Sequence, residues 1–341
     1  MEKLLQVEQE YEKLLAPSDG LVNDLQRLEG DIMILGAGGK MGPPMAKLAM
    51  SAIKKAGINK AITAVARFSE AGLQNELEQL GIKTIVADLL NDKDLSGLPQ
   101  VPNILYLAGL KFGTTGNETL TWAMNTYLPG RVAEKFHQSR IVAFSTGSLY
   151  PLVPVVRGGC TEDDLPAPIG EYAQSCLGRE RMFQLASQKF GTPTLIFRLN
   201  YANDVTYGVL HEIAKSVRAG ASIDLRMGNV NVIWQKDANE IALRCLLYCE
   251  SPAKILNVTG PETLSTRWVA EEFGKIFNKK PVFVNEEEPT SFLNNAAESF
   301  RLFGYPQVST KTMVYLIADW LMSGGKLINK DTHFQERDGK F

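Results

Sequence analysis

The sequence has few of the residues that build metal sites, and it carries little net charge. Its three histidines are scattered and its four cysteines show no Cys-x-x-Cys spacing, which argues against a dedicated metal centre. A formal net charge of −2 gives no electrostatic basis for binding nucleic acid or a membrane surface. No apolar run approaches the roughly 20 residues that a membrane-spanning helix needs. We therefore expect a globular protein that binds a small-molecule substrate and neither nucleic acid nor membrane.

The bulk composition is that of a soluble protein larger than one ordinary domain. The chain has 341 residues, of which 45% are hydrophobic and 22% are charged. The first ten residues are charged and amphipathic, without the apolar centre of a signal peptide. A reducing, cytoplasmic location is the expectation that follows.

Strands and helices are predicted to alternate from residue 31 onward. Short apolar runs that end in small residues read as buried parallel strands, and the amphipathic stretches between them read as helices. This alternation predicts an α/β fold, a Rossmann-type doubly wound parallel sheet with a smaller C-terminal substrate lobe. The predicted strands are 31–35, 61–66, 83–87, 103–107, 140–144, 194–198, 231–234, 255–258 and 281–284. The predicted helices are 40–56, 69–80, 117–138, 172–189, 209–219, 237–249, 265–278, 290–303 and 310–323.

The same pattern predicts how the chain is divided. A helical extension precedes the first strand and is expected to pack on the domain or on a partner subunit. The predicted parts are an N-terminal extension (1–30), a Rossmann-type domain (31–200, with 230–260 returning to it), a substrate lobe (201–229 and 261–330) and a polar tail (331–341).

A glycine-rich turn follows the first predicted strand and opens a helix. Gly36, Gly39 and Gly42 give the spacing GxxGxxG, which permits a tight turn and a close approach of the backbone to a pyrophosphate. The positive end of the helix dipole then faces the phosphates. The position of this turn, at the start of a strand–helix alternation, favours a dinucleotide site. The alternative is a glycine turn without a ligand.

The end of the second predicted strand bears on the choice of cofactor. An acidic residue that would bind the ribose hydroxyls of NAD is absent there, and Arg67 suits a 2′-phosphate instead. Ser69 is a second candidate contact and Lys40 a third. We therefore expect NADP, with NAD less favoured; the alternative is that Arg67 is an ordinary surface arginine.

Further cofactor contacts are expected where other strands end. Asp88 and Leu89 follow the third strand, where such folds contact the adenine ring, although Asp88 could equally cap a turn. Asn200, after the sixth strand, should approach the nicotinamide. The remaining predicted cofactor contacts are Met41, Leu107, Ala108 and Gly109.

Taken together, residues 31–280 resemble an extended short-chain dehydrogenase/reductase of the NAD(P)-dependent epimerase/dehydratase type. The resemblance implies that Thr146 hydrogen-bonds a substrate oxygen while Tyr172 exchanges its proton, with Ser148 as an alternative to Thr146. The alternative for Thr146 itself is a turn residue bonded to the backbone. The motifs that carry the resemblance are Gly36-x-x-Gly39-x-x-Gly42, Asp88, Leu107-Ala108-Gly109, Ser145-Thr-Gly-Ser-Leu-Tyr150, Tyr172, Glu180 and Arg198-Leu-Asn-Tyr201.

The sequence departs from this family at position 176. The family pattern is Tyr-x-x-x-Lys, in which the lysine lowers the pKa of the tyrosine and holds the cofactor ribose; here Cys176 stands in its place. Lys111, after the fourth strand, could supply the missing charge, or be a solvent-exposed loop lysine. Arg179, one helical turn beyond Cys176, is a weaker candidate for the same role.

Two functions are consistent with this pattern. One is an NADP-dependent oxidoreductase or epimerase/dehydratase that acts on a carbinol carbon of a sugar-like or polyol substrate through Thr146, Tyr172 and Lys111. The other is a catalytically degenerate sensor or regulatory protein that binds NADP(H). The resemblance also implies a homodimer in which the long helices around 117–138 and 172–190 pair.

Overall fold

The computed structural model describes residues 2–111, 113–328 and 332–340, and its strands form one large sheet with several short ones beside it. Of the polar tail predicted over 331–341, residues 331 and 341 lie outside the described part. The strands, in chain order, are β1 (Ile32–Leu35), β2 (Ile62–Ala66), β3 (Lys83–Val86), β4 (Asn103–Tyr106), β5 (Arg140–Thr146), β6 (Val153–Pro154), β7 (Thr194–Leu199), β8 (Ala202–Asn203), β9 (Ser222–Asp224), β10 (Asn229–Val230), β11 (Ile233–Trp234), β12 (Lys254–Val258), β13 (Leu264–Ser265), β14 (Val282–Val284) and β15 (Thr290–Ser291).

Helices connect most of these strands. Among the described residues none is long and apolar enough to cross a membrane. The helices are α1 (Glu2–Leu14), α2 (Asp19–Arg27), α3 (Gly42–Ala56), α4 (Leu73–Gln79), α5 (Asp92–Gly97), α6 (Glu118–Trp122), α7 (Leu128–Lys135), α8 (Gly170–Phe190), α9 (Val209–Ala219), α10 (Gln235–Arg244), α11 (Thr266–Phe277), α12 (Ala297–Phe303) and α13 (Thr310–Ser323).

The large sheet is parallel throughout and has the order β12-β7-β5-β4-β1-β2-β3. β1 pairs with β2 on one side and with β4 on the other. The chain therefore changes direction of winding at β1, which creates a crevice at the carboxyl ends of β1 and β4. This confirms the predicted Rossmann-type, doubly wound α/β fold.

Alternation along the central strands explains why both faces of the sheet are covered. In β1, Ile32 and Ile34 belong to the core beneath α2, α3 and α10. Met33 and Leu35 point to the opposite core, beneath α7 and α8. All four residues are fully buried. A strand that is apolar on both faces must be sandwiched between two helical layers.

A separate core lies beside this sheet. It brings together α9, α11 and α13, and it includes the fully buried Trp234 and Phe334. The N-terminal helix α1 packs on α13, and the Tyr11 hydroxyl donates a 2.8 Å hydrogen bond to Asp204. α2 packs on α3 and α10. The N-terminal extension is thus held by both cores of its own chain.

Two helix predictions are wrong in part. The stretch 117–138 is helical through α6 and α7, but Ala123–Tyr127 between them is π-helical. Pro129, in the first turn of α7, has no N–H to donate to a carbonyl of the preceding turn, which accounts for a local break in α-helical bonding there. The helix predicted over 290–303 begins only at Ala297, because β15 pairs with β6 and the Asn295 side chain accepts from the Ala297 N–H.

Candidate active site

The glycine turn packs directly against the chain that follows β4. Gly36 has a φ of +88°, and a Cβ there would lie 2.5 Å from the backbone N of Ala108. A Cβ at Gly42 would lie 2.5 Å from the Cα of Ala37. Both positions therefore require glycine for close packing. Gly39 is exposed and has no such neighbour, so its missing side chain leaves open the approach to the turn. This cradle fits the diphosphate of a dinucleotide.

The start of α3 differs from that of an ordinary phosphate-binding helix. No side chain caps its first turn, and Pro43 and Pro44 bring no N–H groups to it. The backbone N–H groups of Lys40 and Met41 are consequently the donors that a phosphate would meet. The Lys40 ammonium lies 3.0 Å from the ring centroid of Tyr207, in the turn after β8. Its contact with a 2′-phosphate stays a prediction.

The residues predicted to select the cofactor lie at the surface. Arg67 and Ser69 are exposed just beyond the end of β2. Within the described ranges, the Arg67 side chain forms no hydrogen bond or ion pair with another residue. Asp88 is also exposed, and its carboxylate accepts a 3.0 Å hydrogen bond from the Leu90 N–H, so it does cap a turn. The Leu89 side chain is buried in the core, which leaves only its backbone to meet an adenine ring.

The residues predicted to carry the chemistry come together at the end of β5. Tyr172, on the first turn of α8, lies close enough to Thr146 and Cys176 for both side chains to influence its ionisation. The Thr146 hydroxyl also accepts from the Ser148 N–H at 3.2 Å, as the turn-residue alternative expected. Thr146 therefore both caps the turn and contacts Tyr172.

Burial decides the protonation states of Tyr172 and Cys176. It raises the pKa of Tyr172, and the neighbouring Cys176 raises it further, while Arg179 and the Thr146 hydrogen bond act in the opposite direction. Burial also raises the pKa of the Cys176 thiol. Both groups are consequently neutral near neutral pH.

Lys111 lies close enough to Cys176 to interact with it and is not surrounded by bulk solvent. It is half-buried, and its charge interacts with Cys176 and with Glu212 on α9. Burial lowers the pKa of Lys111 to about 8. Glu212 also interacts with Tyr201, whose pKa burial raises. A lysine, a carboxylate and two tyrosines therefore share one electrostatic environment where α8, α9 and the chain after β4 meet.

Asn125, in the π-helical stretch, links α8 to the chain after β4. Its side chain accepts from the Leu110 N–H at 2.8 Å and donates to the Leu110 carbonyl at 2.8 Å. It also donates to Ser175 and accepts from Arg179. A π-helical turn often marks a functional position, and here it turns the Asn125 side chain toward the site.

Glu180 serves the framework of the site. Its carboxylate accepts from the Arg198 guanidinium at 2.9 and 2.7 Å and from the Ser145 hydroxyl at 2.6 Å. Arg198 also donates to the Tyr150 hydroxyl at 2.7 Å. The side chains of Glu180 and Arg198 are each at most 1% exposed. This pair therefore joins α8 to β7 and to the end of β5, which fixes the position of Tyr172 relative to Thr146.

Two buried amides with unsatisfied atoms face the turn after β5. A Cβ at Gly147 would lie 2.7 Å from both side-chain amide atoms of Asn294 and 3.0 Å from the Cβ of Asn200. Among the described residues, Asn200 Nδ2 and both polar atoms of the Asn294 amide have no hydrogen-bond partner. Sequence reasoning missed Asn294, which falls in a stretch predicted to be helical.

Two large side chains that follow β7 in the sequence, Trp234 and Arg226, are not available to a ligand at this site. Trp234 is fully buried and packs edge-on against Tyr11, so it offers no face to a ligand. Arg226 is paired with Asp224 at the surface. No group of three His, Cys, Asp or Glu side chains is placed to hold a metal ion in the described part of the chain.

Comparison with solved structures finds this fold among enzymes that act on nucleotide sugars. The UDP-glucuronic acid 4-epimerase from Bacillus cereus in complex with NAD has a TM-score of 0.73 and 19% identity, over 86% of this chain and 97% of that one. The UDP-glucose 4-epimerase from Thermotoga maritima with UDP-glucose has a TM-score of 0.71 and 14% identity, over 86% and 99%. The dTDP-glucose 4,6-dehydratase from Streptomyces venezuelae with NAD bound has a TM-score of 0.72 and 14% identity, over 86% and 97%.

At these identities the likeness establishes the fold alone. No protein-family model matches the sequence, and no curated protein matches it. The chain thus has the Rossmann-type fold of these enzymes across nearly their whole length. What it does must be argued from its own residues.

Proposed function

We propose that this protein is an oxidoreductase or epimerase/dehydratase that uses a nicotinamide dinucleotide and acts on a carbinol carbon of a sugar-like or polyol substrate. The observation that carries the proposal is that Tyr172, on α8, and Thr146, at the end of β5, interact at the carboxyl edge of the sheet. That edge also presents the glycine cradle, so a hydroxyl donor and a dinucleotide site share one crevice. The structural neighbours named above, which are enzymes of nucleotide sugars, support the substrate class.

Each polar group of the site has a distinct role in this proposal. A bound nicotinamide would exchange a hydride with the substrate carbon. Thr146 orients the substrate oxygen, and Tyr172 transfers the proton. Lys111 supplies positive charge beside them. The unsatisfied amide groups of Asn200 and Asn294 bind hydroxyl groups of the substrate, since buried polar atoms otherwise remain unpaired at a cost.

The protonation of Tyr172 favours one direction of reaction. Because burial raises the pKa of Tyr172, the hydroxyl keeps its proton near neutral pH. It is then a poor base for removing a proton from an alcohol but is in the right form to donate one. The site is accordingly better suited to reduce a carbonyl than to oxidise an alcohol.

Arg67 makes NADP the proposed cofactor, with NAD as the less favoured choice. Its exposed guanidinium has no competing partner among the described residues, and it lies where the ribose 2′-position is expected in this fold. The test is a fluorescence titration with NADPH and NADH, using the parent protein and Arg67→Asp. We expect NADPH to bind the parent more tightly and the substitution to reverse that order. Equal affinities in the parent would remove the case for NADP.

A degenerate NADP(H) sensor is the second candidate, and one observation favours it. Cys176 is a buried neutral thiol where the resembled family has a lysine, and Tyr172 is held protonated. Turnover distinguishes the two functions. A screen of sugars, polyols and nucleotide sugars with the tighter-binding cofactor should give activity that Tyr172→Phe abolishes and Tyr315→Phe, an exposed control, retains. Binding without turnover across the screen would favour the sensor.

A homodimer formed through the helices flanking the site is also proposed. Trp122, Tyr127, Leu185 and Phe190 are between 38% and 60% exposed on the adjoining faces of α6, α8 and the π-helical stretch. A cluster of large apolar side chains at a surface indicates an interface. Light scattering should give twice the monomer mass, and Tyr127→Glu with Leu185→Glu should give the monomer. A monomeric parent would refute the dimer.

A further inference from the structure

Arg179 is a buried cation near Tyr172 and Cys176, and it is present in addition to Lys111. Only 7% of the residue is exposed, and it lies one helical turn after Cys176 on α8. Its guanidinium donates to the Phe144 carbonyl at 2.9 Å and to the Asn125 side chain at 2.6 Å. No carboxylate of the described residues lies within ion-pairing distance of it, and its Nε–H has no partner there. A buried charge without a counterion is costly, so a compensating role is expected.

The neighbouring chain is shaped to admit this guanidinium. A Cβ at Gly109 would lie 2.3 Å from Arg179 Nη2 and 3.0 Å from Asn125 Oδ1. Gly109 is not in the left-handed region, so the reason for glycine at this position is space and not backbone conformation. Because Ala108 packs on Gly36, the guanidinium lies behind the wall of the dinucleotide cradle.

The acidic groups that face Arg179 include Tyr172, which is proposed to transfer the proton. Its charge interacts with Cys176, Tyr106, Tyr172 and Glu180. Glu180 is already paired with Arg198. Tyr172 and Cys176 interact with each other, and the charge of Arg179 acts on both of them. The field of Arg179 therefore acts on this pair.

We propose that Arg179 is the positioning residue that replaces the lysine missing at position 176. It holds a fixed positive charge beside Tyr172 and Cys176, and through Asn125 it anchors the chain that follows β4. Gly109 and Arg179 are then a matched pair, in which the missing side chain of one makes room for the charge of the other. This inference deepens the proposed function and rests on it only for the cofactor-binding and kinetic parts of its test.

The first test measures ionisation and needs neither cofactor nor substrate. The Cys176 thiol is titrated by the ¹³Cβ shift of cysteine-labelled protein, with Cys176→Ser to assign the signal. The charged groups that face the thiol are Tyr172, Arg179 and Glu180 on α8, Tyr106 on β4 and Lys111 after β4.

Removing the charge should make Cys176 harder to ionise. We expect Arg179→Met to raise the Cys176 pKa by about one pH unit or more, as loss of a nearby opposite charge does. Arg179→Lys should keep the parental value, and so should Arg181→Met, an exposed arginine on the same helix. An unchanged Cys176 pKa in a folded Arg179→Met protein would overturn the proposal.

A second variant keeps the test decisive if Arg179→Met does not fold. In Cys176→Lys with Arg179→Met, a cation returns to the position used by the resembled family. We expect folding and cofactor binding to be restored, whereas Cys176→Lys alone, which crowds a third cation against Lys111 and Arg179, should bind cofactor more weakly than the parent. Failure of the double variant to recover would overturn the proposal.

The kinetic readout separates this inference from the proposed function. Where turnover is found, Arg179→Met should lower kcat and move the pH profile of the reaction, and the double variant should move it back. A change in kcat with an unmoved pH profile would indicate a structural role only. A shifted Cys176 titration in a protein without turnover would keep the electrostatic role of Arg179 and refute the enzyme.

Discussion

Lys111 is expected to destabilise the fold at neutral pH, and this can be tested by removing it. Burial lowers its pKa from 10.5 to about 8, so the folded state disfavours the charged form. At about 1.36 kcal/mol per pH unit the difference corresponds to about 3.4 kcal/mol. The side chain is only half-buried and also attracts Glu212, and solvent screening reduces the value, so we expect about 1–3 kcal/mol.

The substitution that exposes this cost is Lys111→Met, which keeps a long apolar stem and deletes the charge. Below about pH 8 both folded and unfolded chains carry the charged lysine, and the folded chain bears the full penalty. As the pH rises from about 8 to 10.5 the folded lysine is already neutral, so the penalty disappears. Lys111→Met should therefore be more stable than the parent at neutral pH, with a gain that fades in alkali.

Urea unfolding over a series of pH values measures this difference. Lys93→Met is the matched control, because Lys93 is exposed and its side chain forms no hydrogen bond or ion pair with another described residue; this variant should be as stable as the parent. A Lys111→Met protein less stable than the parent at neutral pH, or a gain that does not vary with pH, would refute the reasoning. If Lys111 serves catalysis, the same variant should lose about tenfold or more in kcat/KM, which is ~1.4 kcal/mol.

Three further predictions concern the framework, the cradle and the pH profile. Glu180→Gln should lower the free energy of unfolding by about 3–5 kcal/mol in urea titrations, since it leaves Arg198 buried and uncompensated, and Glu180→Met with Arg198→Met should recover much of the loss. Gly42→Ala should weaken NADPH binding at least about tenfold by fluorescence titration, because the new Cβ must displace the backbone of Ala37; unchanged binding would argue against the cradle. Activity should fall as the pH rises through about 8, where Lys111 loses its charge, and the Lys111→Met profile should lack that limb.

Local signals account for the parts of the fold that could be predicted. The helices predicted over 209–219 and 310–323 have the observed bounds, because apolar spacing and a following glycine mark them without help from distant residues. The strands of the large sheet were likewise predicted to within a few residues, since a strand buried on both faces is a short apolar run.

Prediction failed where contacts between residues far apart in the sequence determine the structure. Residues 290–296 were expected to be helical, but Thr290 and Ser291 pair with β6 and the helix begins only at Ala297. The site shows the same limit. Tyr172 and Thr146 could be proposed from the family resemblance that their motifs carry, but nothing local joins Arg179 to Asn125, which is 54 positions away. The space that Gly109 provides for Arg179 is visible only once α8 lies against the end of β4.

A cysteine at position 176 therefore does not leave the site without positive charge. Two cations face the Tyr172–Cys176 pair, and they differ in kind. Arg179 keeps its charge at any pH at which the protein is folded, because a guanidinium does not titrate there. Lys111, with a pKa of about 8, does titrate. A site arranged in this way would retain part of its proton-transfer function in alkali through Arg179. It would gain the rest below about pH 8, where Lys111 is charged. Activity that falls to a plateau as the pH rises, and not to zero, is therefore the result expected if both residues contribute.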